Sequence, residues 1–187
     1  MVNKSQRDKM LNGELYDALA PELVSARKKA RALLKLFNAS IGAEFEETLN
    51  TLSKLIGKAG KNTWIEPPFF CDYGSNIYLG NNVYFNFNCI ILDPAEVHVG
   101  DNTIFGPNVQ IYTATHPISS TERKKGLEFA KPITIGSDVW VGGGAIINPG
   151  VSIGSRSIIG SGSVVTRDVP EGVIAVGNPC KIIREVE

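Results

Sequence analysis

Two histidines stand among the 187 residues, His98 in AEVHVGDN and His116 in IYTATHPISS. An imidazole titrates near neutral pH, so it suits a step in which a hydroxyl must lose its proton. His98 lies between Val97 and Val99, in an alternation that turns its side chain outward and gives it a surface role. His116 comes where a regular pattern of apolar and small residues stops, and PISSTERKKGLEFAKPIT follows it. The cysteines Cys71, Cys89 and Cys180 are widely spaced and form no CxxC. That argues against a disulfide framework or a zinc site and reads as small buried hydrophobes. No Walker-type loop, no GxGxxG after a strand and no HExxH occurs.

The elements that must position His116 follow from composition and period. Hydrophobic residues make up 43% of the chain, enough for one domain with a real core. Nineteen basic residues balance nineteen acidic ones, which points to neither nucleic acid nor an anionic membrane as partner. The opening MVNKSQRDKM leads into no apolar h-region, and no long apolar run follows, so a soluble cytoplasmic protein is the expectation. Residues 1–60 are rich in Ala, Leu, Lys, Arg and Glu, with Ala26, Ala30, Leu33, Leu34 and Phe37 at helical spacing. They read as an N-terminal α-helical region, with a turn before Pro21.

Residues 61–187 repeat with a period of six. Hexads begin at Leu79, Phe85 and Ile91, slip by two residues through Val97, and resume at Val99, Phe105 and Ile111. They restart at Ile135 and run through Val141, Ile147, Ile153, Ile159 and Val165. Small or β-branched residues come four places later, from Val83 and Cys89 to Thr115, Ser157, Ser163 and Val169. Asn, Asp or Gly comes three places later, as at Asn82, Asn88, Asn102, Asn108, Asp138, Gly144 and Asp168, with Pro94 and Arg156 as exceptions. Those residue types tolerate positive φ, so each hexad is a short strand and a sharp corner. Three corners close a triangular coil, and stacked coils make an all-β solenoid, a parallel β-helix of about five to seven coils at about 4.8 Å spacing. Residues 117–134 break the pattern with charge and two prolines and should leave the prism as an extruded loop rooted at His116.

Several segments in order carry a family resemblance: GELYDAL, WIEPPFFCDYGSNIYLGNNVYFNFN, IYTATHPI, KPITIGSDVWVGGGAIINPGVSIG, SGSVVTRDVPEGVIAVGNP and KIIRE. The chain resembles the maltose/galactoside O-acetyltransferase family of hexapeptide-repeat acyltransferases over nearly its whole length. The resemblance implies a left-handed β-helix and a homotrimer. It also implies acetyl-CoA as co-substrate, no metal, and sites between subunits.

It further implies that His116, in the matched Thr115-His116-Pro117, is the general base. Transfer would then be direct, from thioester to sugar hydroxyl in a ternary complex without an acyl-enzyme. Asp17, Asp72, Asn86 and Asp93 would face the acceptor. The register supports one pairing independently: Asp93 belongs to the hexad at Ile91 and His116 to that at Ile111, one coil and the two-residue slip later, so the two would lie on the same face of successive coils. Trp140, Gly143 and Ser161 would flank the pantetheine arm, together with Gly142 and Gly162. Thr166, Arg167, Lys181 and Arg184 would hold the phosphates, which need cations. Pro94 stands where some galactoside enzymes carry a second acid, which leans the chain toward the maltose type. The same chemistry on an oligosaccharide precursor or an antibiotic hydroxyl, and a non-catalytic solenoid scaffold, are the alternatives.

Overall fold

The structure, a computed structural model, describes residues 4–41 and 45–187. Of the expected helical region, residues 1–3 and 42–44 lie outside the described residues. From about residue 57 the chain winds as a triangular prism with three parallel sheets for walls.

Wall A holds Trp64–Ile65, Tyr84–Phe85, Ile104–Phe105, Trp140–Val141, Ile158–Ile159 and Val173–Val176, with Lys181–Glu185 antiparallel at its end. Wall B holds Phe69–Cys71, Cys89–Leu92, Gln110–Tyr112, Ile146–Ile147 and Val164–Val165. Wall C holds Ile77–Leu79, Val97–Val99, Ile133–Ile135 and Ser152–Ile153. The chain visits A, B and C in turn.

Inward residues stack from coil to coil. In wall A the column is Ile65, Phe85, Phe105, Val141, Ile159 and Ala175, each at most 1% exposed. The Phe85 and Phe105 rings lie 3.9 Å apart and nearly parallel. Burying one such side chain stabilises the fold by about 1.5–3 kcal/mol, and each coil does so only against its neighbours. Small polar residues inside the corners satisfy the backbone between coils: Thr103 Oγ1 donates to the Gly136 carbonyl at 2.9 Å and Ser157 Oγ to that of Pro170 at 2.8 Å.

The corners obey the reading of positive φ with one gain and one loss. Asn62, Asn82, Asn102, Asp138 and Arg156 all adopt φ between 55° and 60° at the corner between walls C and A. Their amides form a ladder, Asn62 to Asn82 at 3.1 Å, Asn82 to Asn102 at 2.9 Å and Asn102 to Asp138 at 3.1 Å. Arg156 thus turns the corner although its residue type argued against it. Asp168 does not adopt positive φ; its Oδ1 accepts the Ser152 N–H at 2.7 Å instead.

Coil length is uneven in an informative way. Paired positions in wall A are 20 residues apart from Ile65 to Phe85 and from Phe85 to Phe105, 36 from Phe105 to Val141, 18 from Val141 to Ile159 and 16 from Ile159 to Ala175. The extra residues of the first three coils fall at the corner between walls B and C, at 72–76, at 93–96 and at 113–132. The slip expected once therefore recurs, and it shifts the buried corner residue of the third coil. Thr113 is fully buried where the hexad count placed Thr115, which is half-buried.

Three helices precede the prism: α1 (Gln6–Leu11), α2 (Pro21–Asn38) and α3 (Phe45–Leu55). A box at Ser5 and Asp8 caps α1, and Pro21 opens α2 at the position where a missing N–H costs nothing. Ala30, Leu34, Phe37, Leu52, Leu55 and Ile56 pack into the same core as the first coil. Asn38 closes its open edge, donating to the Phe69 carbonyl at 2.9 Å and accepting the Phe69 N–H at 2.8 Å. A repeat array needs such an end cap.

Residues 117–132 form the expected extruded loop, while Ile133 and Thr134, counted in that loop from the sequence, already belong to wall C. The loop is an arm that carries α4 (Ser120–Arg123) and the strand Leu127–Ala130. That strand pairs antiparallel with Ala114–Thr115 on one side and with Tyr16–Asp17 on the other.

Candidate active site

The B–C corner, the N-terminal segment and the arm enclose a cleft of about 350 Å³. Tyr16, Arg27, Arg31, Asp72, Tyr73, His116 and Glu128 give it its polar lining. Four remote stretches meet there because the arm strand is sewn to residues 16–17, with Tyr16 opposite Glu128. The Tyr16 hydroxyl donates to Glu128 Oε2 at 3.1 Å. Burial, then the charge of Glu128, pushes the Tyr16 phenol up beyond its ordinary range. Arg27 and Arg31, four residues apart on α2, present their side chains to the same cleft. Arg27 donates to the Tyr73 hydroxyl at 2.7 Å and also to the Ala18 carbonyl. Burial raises the Asp72 carboxyl, and Arg27 opposes the rise.

His116 is exposed at the rim. It borders the cleft and also a neighbouring hollow of about 280 Å³ lined by Thr115, Phe129, Lys131, Asn148 and Thr166. Among the described residues its ring has no hydrogen-bond partner. A third hollow, about 330 Å³, lies beyond Thr166 and is lined by Arg167, Pro179, Cys180 and Lys181. His116 therefore stands between a cleft rich in hydrogen-bonding groups and a path along the prism edge toward two cations.

The other expected residues divide. Asp72 lies in the cleft. Asp17 is exposed between two cleft residues, and its Oδ1 accepts the Leu19 N–H at 2.9 Å. Asp93 is at the same corner as His116, as the count of coils required, but it points inward and is fully buried. Its expected place facing the acceptor is corrected on that ground: the carboxylate lies beneath the cleft floor. Asn86, Gly143 and Ser161 occupy the A–B corner, a different edge of the prism. Asn86 Oδ1 accepts the Phe87 N–H at 2.8 Å. Trp140 is 51% exposed on the outside of wall A, between Ile104 and Ile158, so it does not pack under the arm of its own chain. Arg184 is on the final antiparallel strand opposite Ile174. His98 is exposed and stacks on Tyr78 at 4.8 Å.

Sequence reasoning missed Tyr16, Arg27, Arg31, Tyr73 and Glu128. The spacing of the two arginines marks one helix face, so that signal was available. Glu128 had none, since it joins the site through a pairing with a residue 112 positions away.

Comparison with known proteins agrees with this architecture. Residues 9–60 match the maltose acetyltransferase hexapeptide capping motif, and residues 132–167 match the bacterial transferase hexapeptide of six repeats. Nodulation protein L of Rhizobium meliloti is 48% identical over 97% of this chain and 99% of its own. The crystal structure of a maltose O-acetyltransferase from Clostridium difficile 630 superposes with a TM-score of 0.97 at 44% identity, covering 98% of each chain. A galactoside acetyltransferase in complex with coenzyme A superposes with a TM-score of 0.95 at 40% identity, covering 99% of this chain and 92% of its own. A capped prism of hexads, matched from end to end by these proteins, places the chain in the maltose/galactoside O-acetyltransferase family of left-handed β-helix enzymes.

Proposed function

We propose that this enzyme moves an acetyl group from acetyl-CoA to a hydroxyl of a sugar held in the cleft, with His116 as general base. The observation that carries the reading is the position of His116 between the cleft and the hollow leading to Thr166. The coenzyme A held by the galactoside acetyltransferase of like fold supports the donor. The His116 ring takes the proton from the acceptor hydroxyl as its oxygen attacks the thioester carbonyl carbon. The tetrahedral intermediate collapses by breaking the carbon–sulfur bond, and the departing thiolate recovers the proton from the imidazolium. Asp72 and Glu128 accept hydrogen bonds from acceptor hydroxyls, and Arg31 donates one. Arg167 and Lys181 hold the phosphates of the donor.

No covalent acyl-enzyme enters this scheme. Cys71 and Cys89 are buried, whereas Cys180, expected to be buried too, is half-buried beside the third hollow. Burial raises all three thiols, that of Cys89 to about 11, which makes them poor nucleophiles at neutral pH.

The working unit in this proposal is a homotrimer with the site between subunits. Asn86, Gly143, Ser161 and Trp140 sit on or beside an edge other than the one bearing His116, so a second prism must supply them. The outside of wall A supports such an interface: Trp140 and Ile104 are 51% and 46% exposed, and Phe87 at the adjoining corner is 47% exposed.

The test follows free thiol release from acetyl-CoA across mono-, di- and oligosaccharides, with His116→Ala beside the wild type. Loss of the base should cost about 10² to 10⁴ in turnover. Full activity in His116→Ala would remove the base assignment, and no release by wild type with any acceptor would remove the transfer reading.

A further inference from the structure

Asp93 is the one charged side chain of the described core that is 0% exposed, and it sits directly under the cleft. Its carboxylate reaches up to the preceding coil. Oδ1 accepts the N–H groups of Asp72 at 3.1 Å and Tyr73 at 2.8 Å, and Oδ2 accepts that of Asn76 at 3.3 Å. The Asn76 amide returns a bond of 2.6 Å to the Asp93 carbonyl. Thr113 of the next coil fixes the Asp93 corner from below, donating to the Leu92 carbonyl at 2.9 Å and accepting the Ala95 N–H at 3.0 Å. The side chains carried by the first two amides line the cleft, and Tyr73 holds Arg27 in turn. One carboxylate thus sets the 72–76 turn, and the turn sets two cleft residues and a cation.

We propose that Asp93 is a positioning residue of the acceptor cleft, and that its ionisation makes acceptor affinity depend on pH while leaving the donor site alone. The readout rests on the acetyl-transfer reading above. Burial pushes the Asp93 carboxyl up to about 7, against its backbone hydrogen bonds, and the charge of Asp72 adds to the rise. The titratable groups facing it are Cys71, Asp72 and Tyr73 on the coil above. Below it stand the neutral Thr113 and Ala95, and no cation of α2 reaches it directly. Every polar contact of its two oxygens is with an N–H donor, so the ionised form suits the geometry. A proton placed on either oxygen faces a donor and weakens the hold on the turn.

Asp93→Asn keeps the shape and puts an NH₂ against an N–H donor. Initial rates with the best wild-type sugar, taken near pH 6 and near pH 8, should separate three constants. Near pH 8 the variant should raise acceptor KM about tenfold or more, the loss of a hydrogen bond to a charged group. Its kcat and its KM for acetyl-CoA should stay near those of wild type. The weakening of acceptor binding that wild type shows on acidification should be missing from the variant. A folded variant with unchanged acceptor KM, or one that loses kcat alone, overturns the proposal.

If the variant does not fold, the wild-type amide resonances of Asp72, Tyr73 and Asn76 decide. They should titrate with one shared midpoint that saturating sugar moves to lower pH, because the sugar favours the ionised form. Amides that do not titrate, or a midpoint that sugar leaves in place, overturn it. Failure of the transfer reading is distinguishable, since wild type would then release no thiol with any acceptor while the amide titration would still report Asp93.

Discussion

Arg156 turns a corner with φ of 60°, in line with Asn62, Asn82, Asn102 and Asp138 on the coils before it. Replacing it with asparagine should stabilise the prism. An ordinary side chain in the left-handed region costs about 1–2 kcal/mol, and asparagine escapes much of that, a gain of about 1 kcal/mol. The new amide would also reach the end of the existing ladder at Asp138 and add about 0.5 kcal/mol. Against this stands the Arg156 to Glu171 ion pair at 3.1 Å, whose side chains are 61% and 66% exposed. Such a pair contributes about 0–0.5 kcal/mol. The net gain is about 1 kcal/mol, which for a chain of this length raises Tm by about 2–4 °C. Scanning calorimetry at fixed protein concentration, with Arg156→Ala as the control that loses the ion pair but keeps the strained corner, measures it. A fall in Tm for Arg156→Asn, or an equal rise in both variants, would refute the argument from backbone strain.

Two further outcomes follow from the coils. Gly106 lies where a Cβ would meet the Gly143 nitrogen at 2.5 Å and its Cα at 2.8 Å, so Gly106→Ala must push two coils apart at the corner assigned to the donor. It should lower stability by about 1–3 kcal/mol and raise the KM for acetyl-CoA more than that for the sugar, which calorimetry and initial rates together check. Asp93 predicts a pH dependence of stability: its folded pKa, about 7, lies above the ordinary 3.8, so its stabilising contribution is full below about pH 4 and is lost as pH rises through 7. Urea unfolding of wild type should show stability falling across that window by at most about 1.4 kcal/mol per pH unit, with Asp93→Asn flatter, and a rise with pH in wild type would contradict it. Stability and acceptor affinity should then run in opposite directions with pH.

The solenoid was legible because its physics is local. An inward apolar residue followed by a left-handed Asn, Asp or Gly fixes strand and corner within six positions, and pairing with the next coil only repeats the decision. The N-terminal helices were legible for the same reason, from the spacing of Ala30, Leu34 and Phe37, which the fold buries against the first coil. Even the interruption at His116 marked the edge from which the arm departs.

The orientation of Asp93 was not legible. At the B–C corner two inserted residues break the period, so counting from Ile91 no longer tells inside from outside. The buried Thr113 shows the same failure one coil later.

Sequence alone therefore determined the repeat, the place of the exposed histidine and the cations near the C-terminal end, since each depends on neighbours a few residues away. Tertiary structure decided that Glu128 joins Tyr16 and that Arg27 holds Tyr73. It also turned one acid inward while its neighbours on the corner line the cleft. Those contacts pair residues 46 to 112 positions apart, and they form only once the prism is rigid enough to bring helix, corner and arm to one edge.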